Sequence, residues 1–195
     1  METKIAVIRI KLKDAPIPIW RRIHLNPNIT LAEFHEIIQI VMGWYNCHLY
    51  GFRVDGKFYT IMEDIYGDMD LISPESVSLK EIIDSNKKFI YEYDFGDGWK
   101  HEIVFNKYIE PKKDVEYPIC ASGKGICPPE DIGGVWRYAN FLNEARSENP
   151  SDYILETIHD LGYELDEVKE IENIPLDIEF INHELKDLME FLKNR

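Results

Sequence analysis

The chain is poor in cysteine, and it lacks both a long hydrophobic run and an excess of positive charge. Its 195 residues include three cysteines, an odd number and too few for a disulfide framework. Met1–Leu12 mixes lysines with apolar residues, so it does not resemble the apolar core of a secretion signal. No apolar stretch approaches the length that crosses a bilayer. We therefore expect a cytoplasmic protein with reduced thiols and no membrane association.

Basic residues are outnumbered, which limits the classes of partner. The sequence has 36 Asp and Glu against 22 Lys and Arg, giving a net charge of −14. A field of this sign repels phosphate backbones, so nucleic-acid binding is not expected. The acid is concentrated between Glu144 and Glu190, which is typical of solvated helical faces; docking of a basic partner is the alternative. A basic protein or peptide is thus the expected partner, and the oligomeric state stays open.

The composition is that of an ordinary globular protein. Hydrophobic residues make up 45% of the chain and aromatic residues 12%. The length suits one domain, or one domain with a small appendage. We predict an α+β core over residues 1–147 and an acidic helical C-terminal extension over 148–195, packed on that core.

Local patterns predict a mostly antiparallel sheet of hairpins covered by helices. Thr30 and Glu33 have the spacing of a capping box that begins a helix, and Gly43 follows its last apolar residue. The dipeptide Asp55-Gly56 favours a tight hairpin turn. Strands are predicted at 5–12 and 21–25, and Pro16 and Pro18 before the second indicate either an edge strand or an entry turn. The other predicted elements are a loop at 63–74, a short helix after Ser78, mostly irregular chain at 107–129, and helices over 135–146, 151–161, 165–171 and from Asp177.

Residues 89–106 predict a second hairpin whose register follows from its apolar residues. A three-residue loop at 96–98 pairs Phe95 with Trp99, Tyr93 with His101, and Tyr91 with Ile103. This register places the rings of both strands on one face, and burial of that face would select it. A two-residue loop at 97–98 would instead mix rings with charges. We therefore expect His101 among aromatic side chains, with Asp94 on the opposite face.

Five separated motifs resemble the plasmid pRiA4b ORF-3-like family, also known for passenger proteins of IS1096-type elements. They are Pro18–Arg22, Met42–Trp44, Cys47–Phe52, Tyr91–His101 and Cys120–Gly134, in this order. The resemblance covers most of residues 4 to about 145. It implies an α+β fold and an association with mobile elements, but no assigned activity. Relatives often carry a second histidine where this chain has Tyr50, which weakens a metal site that needs two histidines there.

The same motifs suggest a metal site as one hypothesis. His48, His101, Cys120 and Cys127 are possible zinc ligands, and Asp94, Asp97, Glu130 and Asp131 could add carboxylates. However, six residues separate the two cysteines, whereas structural zinc sites pair cysteines two to four residues apart. A zinc hydrolase or metal-binding protein using His101, Cys120 and Cys127 is therefore the alternative function. Buried structural thiols explain the cysteines equally well.

A binding module without a cofactor is the preferred functional interpretation. An aromatic pocket with an acidic rim suits a basic peptide or protein. The predicted ligand-binding residues are Tyr91, Tyr93, Phe95, Trp99, His101 and Asp131. Acid–base catalysis by His101 with nearby carboxylates is a further possibility. The simpler explanation is that these rings, and His101 with them, belong to the core.

Overall fold

The computed structural model describes residues 4–62 and 70–194, in which eight strands form one sheet accompanied by six α-helices. The predicted α+β class is confirmed. The strands are β1 (Ile5–Leu12), β2 (Trp20–Leu25), β3 (Tyr50–Val54), β4 (Lys57–Thr60), β5 (Leu71–Ile72), β6 (Lys88–Tyr93), β7 (Trp99–Ile109) and β8 (Ile119–Lys124). The helices are α1 (Leu31–Met42), α2 (Leu79–Ser85), α3 (Gly134–Ala145), α4 (Asp152–Asp160), α5 (Leu165–Lys169) and α6 (Ile178–Lys193).

The strand order is β5-β4-β3-β6-β7-β1-β2-β8, and every pairing except β4 with β5 is antiparallel. Of the two alternatives for the prolines before β2, the edge strand is excluded, because β2 lies between β1 and β8. Strand β8 falls in the chain predicted to be mostly irregular. Several of its residues are small and have a low propensity for strands, so the strand is stabilised by its pairing with β2. Of the predicted 63–74 loop, residues 63–69 lie outside the described ranges, and Leu71–Ile72 forms β5.

Helix α1 begins and ends where its sequence indicates. The Thr30 hydroxyl accepts a hydrogen bond from the Glu33 N–H (3.1 Å), and a Glu33 carboxylate oxygen accepts one from the Thr30 N–H (2.7 Å). Gly43 ends the helix in the left-handed conformation (φ 89°). The buried residues of α1 include Phe34, Ile38 and Val41. The helix therefore has a fixed start, a fixed end and one face packed on the sheet.

The β6–β7 hairpin has the predicted shared face but a different register. The observed pairs are Tyr93 with Trp99, Tyr91 with His101, and Phe89 with Ile103, a shift of two residues from the prediction. A shift of two preserves the face on which each side chain lies, whereas a shift of one would reverse it. The turn spans residues 94–98, closed by a hydrogen bond from the Gly98 N–H to the Asp94 carbonyl (2.6 Å).

The two faces of the sheet differ in chemistry. One face is covered by α1, where the His35 ring stacks on Tyr50 at 3.5 Å and Phe34 stacks on Phe52 at 5.9 Å. The other carries exposed ion pairs, such as Lys88 with Glu102. This asymmetry is typical of antiparallel sheets, in which one face packs on a core and the other meets water.

The C-terminal helices pack on the same core as the sheet. Ile154, Ile158, Val168, Ile181 and Leu185 are buried in the cluster that also holds the strand residues. Helix α6 also contacts the edge strand β8 through Asn182: its amide oxygen accepts from the Cys120 N–H (2.7 Å), and its amide nitrogen donates to the Cys120 carbonyl (3.2 Å). None of the described helices combines the length and low polarity needed to cross a membrane.

Candidate functional site

Three segments that carry sequence motifs meet at one place in the fold. They are the 44–49 segment before β3, the 94–98 turn between β6 and β7, and the 127–133 loop before α3. The Asp94 N–H donates to the Leu49 carbonyl (2.9 Å), the Trp44 indole N–H to the Pro128 carbonyl (3.0 Å), and the Gly133 N–H to the Asp97 carboxylate (2.9 Å). We call this meeting point the loop junction.

The hydroxyl of the buried Tyr93 is hydrogen-bonded to two of these segments, 44–49 and 127–133. It accepts a hydrogen bond from the Cys47 N–H (2.9 Å) and donates one to the Glu130 carboxylate (2.5 Å). The second oxygen of Glu130 accepts from the Tyr45 N–H (3.1 Å). Burial, followed by the Glu130 carboxylate, raises the pKa of Tyr93, so the phenol stays protonated and remains a donor. These bonds explain Glu130 as a structural acid that fixes the loop junction.

One histidine and two aspartates lie together on top of this junction. The His48 Nε2 atom is 3.1 Å from an oxygen of Asp131 and 3.9 Å from an oxygen of Asp94. One ligand atom from each of the three side chains lies within 4.8 Å of the other two. Each residue comes from a different segment, so the fold, not local sequence, creates this group.

The backbone conformation of the turn brings Asp94 to this group. Asp94 has φ 52° and Asp131 has φ 61°, in the left-handed region that aspartate tolerates better than most residues. One oxygen of Asp94 accepts from the Gly96 N–H (2.9 Å), which leaves the other oxygen directed to His48. Asp94 was expected on the polar face with Glu92; the left-handed turn accounts for its different position.

The predicted aromatic pocket is packed as core. Tyr91, Tyr93, Trp99 and His101 have no exposed surface. Trp44 fills the space beside them, with its ring 5.1 Å from Tyr93 and 5.2 Å from His101. Phe95 lies elsewhere, 6.0 Å from Phe58, whose ring covers Gly51 of β3. Of the six residues predicted to bind a ligand, Asp131 presents most of its side chain to solvent (75% exposed).

His101 has the properties of a neutral core histidine. Burial lowers its pKa to about 3, and hydrogen bonding to backbone groups only partly opposes this. Its Nδ1 atom lies 3.1 Å from the Trp99 carbonyl, an arrangement that fits a protonated Nδ1 donating to that oxygen. A fully buried imidazole of this kind does not reach a substrate in solvent.

The structure does not gather the four predicted zinc ligands. Among the described residues, the His48, Asp94 and Asp131 group is the only set of three or more potential ligand side chains found close together. His48 belongs to it, whereas His101, Cys120 and Cys127 do not. Burial raises the pKa of Cys127 to about 11, although the buried Arg21 acts in the opposite direction. The two cysteines of the predicted set are thus buried, protonated thiols.

An acidic cleft of about 790 Å³ lies beside the loop junction, between the start of α1 and the chain around β3, and His48 is among the residues that line it. Among the described residues that line it are three glutamates, and none is Lys or Arg. Leu49 and Ile61 are 43% and 54% exposed there. The acidic and aliphatic lining residues include Glu33, Glu36, Glu75, Leu49, Ile61 and Leu192.

Sequence reasoning missed the glutamates of this acidic cleft. Glu36 lies on the polar side of α1, where an acidic residue looks like ordinary solvation. Glu75 follows Pro74 and belongs to no periodic pattern in the sequence. In the structure, Asn46 takes the left-handed conformation (φ 58°), and its amide donates to Glu36 (3.2 Å), which links α1 to the loop junction.

The fold and the loop junction define an α+β protein with an open antiparallel sheet, whose motif-bearing loops converge above one buried aromatic cluster. The chain belongs to the plasmid pRiA4b ORF-3-like protein family, whose model matches residues 4–171. It is 36% identical over 160 residues to the uncharacterized protein y4hQ of Sinorhizobium fredii, covering 80% of this chain and 81% of that protein. The family match extends beyond residue 147, into the predicted extension.

A solved structure has the same fold. The crystal structure of MM3350, a protein of unknown function from Methanosarcina mazei Go1, superposes with a TM-score of 0.71 at 34% sequence identity. The superposition covers 82% of this chain and 90% of MM3350. These relatives confirm the family and the fold, and the names they carry assign no activity.

Proposed function

We propose that this protein is a non-catalytic binding module that holds a cationic, partly apolar segment of a partner protein or peptide in its acidic cleft. The observation that carries the proposal is the charge of the cleft: Glu33, Glu36 and Glu75 line it without a described Lys or Arg to neutralise them. Exposed Leu49 and Ile61 add apolar contact area beside the carboxylates. Acidic groups around apolar anchors complement a basic amphipathic segment.

The electrostatic field of these glutamates reaches the base of the cleft. The pKa of Tyr50 is raised first by burial and then by the carboxylates of Glu36 and Glu75. The net charge of −14 reinforces this field over the whole surface and favours rapid encounter with basic partners. Free cysteines support a reducing compartment such as the cytoplasm. A link with a mobile element is proposed from the family name alone.

Zinc hydrolysis with His101, Cys120 and Cys127 is not favoured as an alternative. Cysteine binds zinc as a thiolate and histidine as a neutral imidazole, and the side chain must be able to reach the ion. Both thiols are buried with raised pKa values, and His101 has no exposed surface.

The test removes two charges of the cleft without harming the helix. Glu33 is left unchanged because it forms the capping box of α1. The variant is Glu36→Gln with Glu75→Gln, and the matched control is Glu148→Gln with Glu156→Gln, which lowers the negative charge equally on the exposed C-terminal region. Both are titrated by fluorescence anisotropy, in EDTA, with a labelled octapeptide of alternating Lys and Leu.

The cleft variant should bind the peptide about 5- to 10-fold more weakly than the control. Partly exposed charges contribute about 0.5–0.7 kcal/mol each, so two of them give a change of this size. A peptide in which Glu replaces Lys should not bind. Equal affinity of the cleft variant and the control would mean that only the net charge attracts the peptide, and the proposal would be wrong.

A further inference from the structure

We propose that His48, Asp94 and Asp131 form a three-ligand site for a divalent transition-metal ion. The site adjoins the acidic cleft, because His48 lines both, whereas Asp94 and Asp131 do not line the cleft. It differs from the zinc site predicted from the sequence because it contains neither cysteine nor His101; His48 was a predicted ligand there, and Asp94 and Asp131 were among the carboxylates that could be added. The geometry of the three side chains, the shielded Nε2 atom of His48 and the contacts that hold the ligands in place support the site.

The distances between the three side chains fit one ion. Zinc lies about 2.1 Å from nitrogen and oxygen ligands, so two ligands of a tetrahedral ion are about 3.4 Å apart. His48 Nε2 is 3.1 Å from Asp131 and 3.9 Å from Asp94, values on either side of this separation. All three ligand atoms lie within 4.8 Å of one another. Small rotamer adjustments would therefore complete the coordination.

The Nε2 atom of His48 is the imidazole atom directed at both carboxylates. This atom is shielded from water and has no hydrogen-bond partner of acceptable geometry, although two carboxylates face it. A metal ion placed among the three groups would be bound by this Nε2 atom and by both carboxylates.

The ligands are held by hydrogen bonds that do not involve the ligand atoms themselves. The Asp94 N–H is bonded to the carbonyl of Leu49, next to His48. Tyr93 and Glu130 fix the chain before His48 and the residue before Asp131. Metal sites of high affinity depend on such supporting contacts, because they orient the ligands before the ion arrives.

The ligand types indicate which ion would bind. An imidazole together with two carboxylates suits zinc or manganese better than magnesium or calcium, which favour oxygen ligands alone. The side chain of Asp131 is 75% exposed and that of His48 is 28% exposed. The site is thus open on one side, and a bound ion would keep positions for water or for a ligand of the protein.

The experiment titrates the chelator-treated full-length protein with Zn²⁺ alone and with Mn²⁺ alone, by calorimetry and by electron paramagnetic resonance for manganese. Asp131→Asn is the main variant, because an exposed side chain can be changed without unfolding the protein. His183→Gln is the control, since His183 and Asp187 form an exposed pair 3.9 Å apart on α6 that offers only two ligands. Proton–nitrogen correlation spectra establish that each variant is folded.

The expected result is one ion per chain, with affinity reduced by about 100-fold or more in Asp131→Asn and unchanged in His183→Gln. Zn²⁺ should also broaden or shift the imidazole resonances of His48 in the wild-type protein. Binding of neither ion at 1:1 stoichiometry, or equal affinity of the wild type and Asp131→Asn, would overturn the proposal. Loss of metal binding with unchanged peptide affinity would separate this site from the acidic cleft.

Discussion

At the scale of single residues, two buried histidines link the stability of the protein to pH. Burial lowers the pKa of His35 to about 4 and that of His101 to about 3, from a usual value of 6.5. His35 is held by the Tyr91 hydroxyl (2.7 Å) and the Asn46 amide oxygen (2.8 Å). Both imidazoles are therefore neutral in the folded protein, and unfolding restores their ordinary basicity.

The sign of the pH effect follows from these values. Below pH 6.5 the unfolded chain binds protons that the folded chain does not, so the free energy of unfolding falls as the pH falls from about 6.5 towards 4. At pH 5 the loss from His35 is about 2 kcal/mol relative to pH 7.5. We expect His35→Gln to reduce the pH dependence of stability by this amount, measured by urea unfolding at both pH values.

The control for this prediction is His159→Gln, because the side chain of His159 is 91% exposed. That variant should keep the pH dependence of the wild type. The comparison uses the difference between two pH values within each variant, so any general destabilisation by His35→Gln cancels. Parallel curves for the wild type and His35→Gln would contradict the assignment of His35 as a neutral buried base.

At the scale of elements, the loop junction depends on a close approach between the β6–β7 turn and the start of α3. Gly134 has φ 80°, and a Cβ atom there would lie 2.5 Å from the Asp97 carbonyl oxygen. Gly98 has φ 67°, but a Cβ atom there would meet open space. An alanine would therefore be strained in its backbone at both positions, but it would clash with a neighbouring residue only at position 134.

Alanine at these two glycines should separate strain from docking. Gly98→Ala should cost about 1–2 kcal/mol, the usual penalty for a left-handed alanine. Gly134→Ala should cost about 1–3 kcal/mol more, because the turn and the 127–133 loop must move apart. Urea unfolding of the two variants measures the difference. Equal costs would show that the two segments do not pack closely in solution.

The elements also show what sequence reasoning can and cannot reach. The start of α1 was predictable because a capping box is local chemistry, and the shared face of β6 and β7 was predictable because side chains alternate along a strand. The exact pairing was not, since it depended on a left-handed Asp94 that lengthened the turn to five residues. Strand β8 was missed because its stabilisation comes from β2 and Asn182, both distant in sequence.

The candidate site was predictable only in part for the same reason. The sequence pointed to His48 as a possible metal ligand and to Asp131 as a ligand-binding residue that could also add a carboxylate, and the structure places them 3.1 Å apart. Aromatic residues and cysteines looked equally functional in the sequence. The burial of Tyr91, Tyr93, Trp99, Cys120 and Cys127, which a sequence does not reveal, assigns these residues to the core. Residues with potentially functional side chains can be recognised in a sequence, but whether each lies in the core or on the surface is known only from the folded structure.

At the scale of the whole molecule, the hydrophobic core continues across the predicted boundary at residue 147. Tyr138, Phe141 and Leu142 of α3 are buried together with Ile154 and Val168 of the following helices. Helix α6 adds Leu185 to the same cluster, and its Asn182 satisfies both backbone groups of Cys120 on the edge strand. A core that is shared in this way should lose its structure in one cooperative step.

We therefore expect a single unfolding transition when two independent probes are compared. All four tryptophans precede residue 148, whereas about half of the helical residues follow it. Tryptophan fluorescence thus reports mainly on the sheet region, and circular dichroism at 222 nm also reports on α4 to α6. The two curves should have the same urea midpoint, and a chain truncated after residue 147 should unfold at a clearly lower midpoint because it exposes the packed face of α3. Loss of ellipticity before any change in fluorescence, together with an unchanged midpoint after truncation, would show that the C-terminal helices form an independent appendage.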